Sequence, residues 1–212
     1  MIMAEERRET EAAVLPGEVP VTMPELPPRL VLTTAAHFKA VSDPMRSRIL
    51  AIILHEPATA KQLATRLGAT PGAIGHHLHV LEEAGLAQVV ARRLIHGITA
   101  KYYTRTARLF VFDMPPEVTG PYSVTLDMMT RARDELSETL MGAVADPCRE
   151  SSFVHVRLTP ERAALYEARL VALVDDLLQE PQLSDGAVYS LALAFFQSPP
   201  YLQRPTSEAD PA

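Results

Sequence analysis

Three histidines crowd one short stretch, His76, His77 and His79, and a dozen residues later come Arg92, Arg93, His96, Lys101 and Tyr103. Neutral imidazole donates one hydrogen bond and accepts another, so it can meet a phosphate or a base edge; it is also a common metal ligand. Guanidinium and ammonium groups pair with anionic oxygens. His76 and His79, three apart, lie on roughly one side of a helix. That cluster has three readings: a face that meets a polyanion, a solvated or packed helix, and a metal site. Arg46 and Arg48 flank an apolar helix face; Arg46 is taken as the candidate to meet a phosphate, and the other reads as a surface or intramolecular ion-pair residue. Tyr102 and Tyr103 alternate across a strand, so one belongs in the core and the other outside; Tyr103 is taken as the candidate for backbone phosphate contact.

Other chemistry is thin. Cys148 is the single cysteine, which excludes a disulfide framework and a zinc site built from several thiolates. Asp175 and Asp176 adjoin on a helix and read as a solvated face rather than an acid–base pair. No phosphate loop, dinucleotide fingerprint, nucleophile elbow or zinc-protease motif is present, so an enzyme is not expected. The N-terminus has no apolar signal-peptide core, and no apolar run reaches membrane-spanning length; the expected setting is the cytoplasm.

The elements that must position these residues follow from caps and periodicity. A first helix is expected from about Thr34 to Val41. Asp43 caps a second, with Pro44 in its first turn and Ile49, Leu50, Ile53 and Leu54 as its apolar face. Thr59 opens a short third helix that Gly68 ends. Thr70-Pro71 opens a fourth, with Ile74, Leu78 and Leu81 on one side and Gly72, Ala73, His76, His77 and His79 on the other. Gly85 stops it. Leu86–Ile95 and Thr99–Thr106 are β-prone around a His96-Gly97 turn, which makes a hairpin. Two helices and a hairpin can bury one side of the fourth helix and leave its other side facing out, where it suits a major groove. The hairpin would then lay cations along phosphates.

Charge supports that division. The chain of 212 residues carries a formal net charge of −6. Residues 33–107 hold nine bases and four acids, a local +5, with six of the seven histidines; the remainder is −11. A basic segment inside an acidic chain points to a polyanion partner for that segment alone.

The stretches DPMRSRIL (43–50), KQLATRLGATPGAIGHHLHVLEEAGL (61–86) and RRLIHGITAKYYT (92–104) resemble ArsR-type bacterial transcriptional regulators. The resemblance implies a winged helix-turn-helix and a homodimer that binds double-stranded DNA, usually a repressor that an effector releases. It maps DNA contact onto Thr70, Gly72, Ala73, His76 and His77, and onto the wing around Arg92, Arg93 and Gly97. Two features depart from metal-sensing members. The third helix, KQLATRL, has no paired cysteines, and Val124–Val144 has no histidine. No metal or cofactor is therefore expected.

The expected fold class is α+β, mainly α. Residues 1–32 are read as a flexible tail, 33–112 as a winged helix-turn-helix domain, 113–198 as a dimerisation and effector domain, and 199–212 as a second tail. Pro115, Pro116, Gly120 and Pro121 mark the linker. Beyond it come a long helix, Val124–Val144, and a strand-helix-strand unit: Phe153–Leu158, a helix from Thr159-Pro160-Glu161 to about Gln179, and Ala187–Phe196. The first helix and Val124–Val144 are the expected dimer contact, and the apolar content of the last unit suits packing or a small-molecule effector. The competing reading is a winged-helix module for protein–protein contact without DNA.

Overall fold

Four side chains start the four N-terminal helices. Thr34, Asp43, Thr59 and Thr70 each adopt extended backbone and accept a hydrogen bond from the N–H three residues on, at 3.2, 2.9, 3.2 and 3.3 Å. Each satisfies one of the N–H groups that a helix start leaves without a partner. Thr59 adds the reciprocal bond, its own N–H donating to Gln62 Oε1 at 2.8 Å. The computed structural model describes residues 20–95, 98–113, 123–142, 150–181 and 186–202. In it the helices are α1 (Ala35–Val41), α2 (Pro44–Ile52), α3 (Ala60–Leu67) and α4 (Pro71–Glu83). Gly68 closes α3 at φ 62° and Gly85 follows α4 at φ 68°, left-handed conformations that an L side chain resists.

Apolar spacing then fixes the packing. Ile49 and Ile53 of the α2 end, Leu63 of α3, and Ile74, Leu78 and Leu81 of α4 are fully buried in one cluster with Leu32 and Leu86. A hairpin of β2 (Ala87–Ile95) and β3 (Ile98–Arg105) closes it. Its base is tied to the helices. Ala58 and Tyr103 exchange backbone hydrogen bonds at 3.0 and 2.9 Å, and the buried Thr104 hydroxyl donates to Ile53 O at 2.9 Å. The hairpin cannot slide without breaking these bonds, so its cations hold a fixed place relative to α4.

The N-terminal segment corrects an expectation. Residues 29–32 are not tail but β1 (Arg29–Leu32), which pairs in parallel with β4 (Leu109–Phe112). Leu26 and Leu32 are buried. Pro27 and Pro28 have no N–H, yet their carbonyls accept from Arg108 N and Leu109 N, both at 2.9 Å. They thus extend the edge while offering only acceptors. The domain begins before residue 33.

The chain divides into two units, and the second spans Tyr122–Leu177 and Gly186–Ala212. It holds α5 (Ser123–Met141) and most of α6 (Pro160–Gln179). Arg162 N donates to the Thr159 hydroxyl at 3.3 Å, as expected of the cap. The two flanking strands are not as expected: 153–158 and 187–196 carry no strand pairing among the described residues. A strand needs a hydrogen-bonded neighbour, and apolar alternation alone supplies none. Pro200–Leu202, in the expected tail, form a 3₁₀ turn. The linker 115–121, the Asp146-Pro147 helix end and Cys148 lie outside the described residues. No helix among the described residues is long and apolar enough to cross a membrane.

Candidate nucleic-acid interface

Because Ile74, Leu78 and Leu81 anchor α4, the positions between them are turned outward. Gly72, Ala73, His76 and His79 are exposed there, and Thr70 stands exposed at the helix start. Gly72 and Ala73 carry almost no side chain, so another molecule can approach the first turn closely. A Cβ added at Gly72 would meet nothing within 4 Å. His76 follows one turn later with its ring in solvent. His79 is tied along the helix, its Nε2 standing 3.5 Å from Glu83 Oε1.

His77 lies differently from His76. It is half-buried at the flank of α4, with Nδ1 3.9 Å from Asp43 Oδ1. That separation is too long for a hydrogen bond, and the buried Nδ1 has no such partner among the described residues. Asp43 joins two elements through three contacts: it caps α2, pairs with Arg46 of that helix at 3.7 Å, and faces His77 of α4. Burial works against the Asp43 carboxylate, but the Arg46 N–H, the Arg46 guanidinium and His77 outweigh it, and its carboxyl is held below the usual range.

Arg46 corrects a second expectation. Its Nε donates to Ala40 O at 2.6 Å and its Nη2 to Lys39 O at 2.7 Å. The guanidinium therefore closes the C-terminal end of α1, where carbonyls lack helical partners, and leaves little of the fork for a phosphate. Arg48 is exposed.

On the hairpin, Arg92 pairs across from Lys101 and Arg93 across from Ala100. Paired residues share a face, so Arg92 and Lys101 stand side by side. Lys101 is exposed. Arg93 belongs to the opposite face, where its guanidinium lies 5.3 Å from the Tyr102 ring centre.

Tyr103 is a third correction. It is only 8% exposed and belongs to the core, with its hydroxyl 3.5 Å from Glu82 Oε2. Burial, then the Glu82 carboxylate, pushes its phenol up to about 12. Tyr102 is the outer member of the pair and is itself half-buried. His96 and Gly97 lie outside the described residues. Two wing residues escaped sequence reasoning: Leu94 and Ile98 are 66% and 74% exposed. Their only signal was apolar character in a strand, which ordinarily means core. Among the described residues no three His, Cys, Asp or Glu side chains gather as a metal site.

Three capped helices, an outward-facing fourth and a pinned hairpin make a winged helix-turn-helix. Residues 43–89 match the family model described as bacterial regulatory protein, arsR family, so this segment is an ArsR-type helix-turn-helix. Solved structures are also similar. Reduced HlyU from Vibrio cholerae N16961 is 22% identical, over 46% of this chain and 84% of that one, with a TM-score of 0.30. The transcriptional regulator HlyU from Vibrio vulnificus CMCP6 is 20% identical, over 46% and 83%, at 0.29. Rv0081 from M. tuberculosis is 22% identical, over 48% and 89%, at 0.31. No curated protein matches the chain.

Proposed function

We propose that this chain is a sequence-specific, DNA-binding transcription regulator that acts as a homodimeric repressor. One observation carries the reading. The outer face of α4 is small at its start and bears His76 a turn later, and the adjoining hairpin sets Arg92 beside Lys101. In this reading α4 enters the major groove. Gly72 and Ala73 permit close approach, His76 meets base edges, and Thr70 stands near the backbone. Arg92 and Lys101 neutralise phosphates, so affinity falls steeply with salt. Arg93, His96 and Gly97 are the further contacts of this reading. His77 stabilises α4 from beneath, against Asp43.

Two copies would read a two-fold site with half-sites about 34 Å apart. An effector that releases the repressor must bind the DNA-competent and incompetent states unequally. The test is selection from a random duplex library by the full chain. Recovery of a two-fold-symmetric site supports the reading, and no enrichment at low salt by folded protein would sink it. The exposed Leu94 and Ile98 favour a second reading, a wing that docks on protein. The adjacent Arg92 and Lys101 weigh toward DNA.

A further inference from the structure

The second unit has no buried side chain among its described residues. Helix α6 is 20 residues long and none of them is buried; Leu165, Val171, Leu173 and Leu177 are all exposed. The two segments that flank it in sequence are more exposed still. Phe153 and Val154 are each 78% exposed and Tyr189 is 72% exposed; Val156, Val188, Leu191, Phe195 and Phe196 follow. These segments are nevertheless held in place. Arg157 Nη2 donates to Leu202 O at 3.3 Å, and the Ser190 hydroxyl donates to Glu135 on α5. What they lack among the described residues is strand pairing.

We propose that residues 153–158 and 187–196 complete the unit by pairing as β-strands with a second copy of this chain. The inference rests on the homodimer of the proposed function and assigns it a further surface. Three observations select a second copy as the occupant. First, charge permits self-pairing. No charged residue occurs from Gly186 to Leu202, so the long segment opposes nothing when it meets its own counterpart. In the short one Arg157 is the only full charge, and an antiparallel pairing centred on His155 sets it against Phe153. Second, the described residues of this unit hold nine acids and five bases, which disfavours DNA as the cover. Third, the area fits. The eight exposed large apolar side chains of the two segments offer roughly 800–900 Å², about one partner's share of a standard interface. An apolar, uncharged strand of this length left open invites aggregation, and a two-fold partner closes it.

The test measures mass by analytical ultracentrifugation and amide hydrogen exchange on the full chain, from nanomolar to micromolar concentration. A dimer whose 153–158 and 187–196 amides become protected as it forms supports the proposal. Val154→Asp and Phe196→Asp should each weaken that dimer at least 100-fold, with protection in α2–α4 unchanged as the control for folding. A dimer in which these amides exchange freely overturns the strand pairing and leaves the homodimer standing. A monomer at all concentrations with free exchange overturns both. Protection that persists in the monomer means the strands are covered within one chain or by a bound small molecule, and also overturns the proposal.

Discussion

Arg92 and Lys101 face each other across the wing hairpin, two cations at one cross-strand position. Like charges directly opposite one another weaken a hairpin by a few tenths of a kcal/mol or more. A polyanion laid over both would reverse that repulsion. Lys101→Ala should therefore leave thermal stability unchanged or slightly higher, and both Lys101→Ala and Arg92→Ala should weaken duplex binding. Each should also lower the slope of log K against log salt by about 0.9 per phosphate contact removed. Fluorescence anisotropy of a labelled duplex at several salt concentrations measures it.

Gly72→Ala separates stability from function. The added Cβ meets nothing within 4 Å, and alanine is the better helix residue, by up to about 1 kcal/mol. Melting temperature should rise while affinity for the selected duplex falls, because the new methyl stands on the face proposed to approach DNA. Equal or tighter binding would place the contact elsewhere.

Asp43→Asn keeps a good N-cap for α2 but removes the charge facing Arg46 and His77. The folded carboxyl lies below its ordinary value of 3.8. Its contribution is thus present above that pH and lost as pH falls through the folded pKa. The variant should be less stable than the parent at neutral pH, and the difference should shrink on acidification below about 4. Asp43→Ala, which also loses the cap, should cost about 1 kcal/mol more. Urea unfolding across that range decides it.

Tyr103→Phe should leave DNA binding unchanged, since the ring lies in the core and its hydroxyl faces Glu82. The phenol is raised to about 12 from 10, so its contribution is present below pH 10 and lost as pH rises toward 12. The phenylalanine variant should lack that part of the alkaline loss. Leu78→Ala, by contrast, opens the fully buried face of α4 and should cost about 2–5 kcal/mol.

Much of the winged helix was legible because its signals are local. Thr34, Asp43, Thr59 and Thr70 cap helices through bonds to residues three away, and Gly68 and Gly85 stand where the left-handed turns fall. What sequence missed is non-local. β1 and β4 are four residues each and pair across some eighty residues of chain, too short to show a period. Arg46 reads as a surface cation because nothing in its neighbourhood of sequence says that the end of α1 folds back over it. Tyr102 and Tyr103 were separable in kind but not in order, since the inner position is set by the bridge to Ala58. The apolar runs 153–158 and 187–196 carry strand character without stating where the partner strand lies.

In the proposed function the outer face of α4 reads base edges. The most direct test compares the selected duplex with an unrelated duplex for the parent chain and for His76→Ala, at one salt concentration. The variant should lose about 1–3 kcal/mol of preference for the selected site while its affinity for the unrelated duplex stays the same. An unchanged ratio between the two duplexes, in a variant that folds, would contradict it.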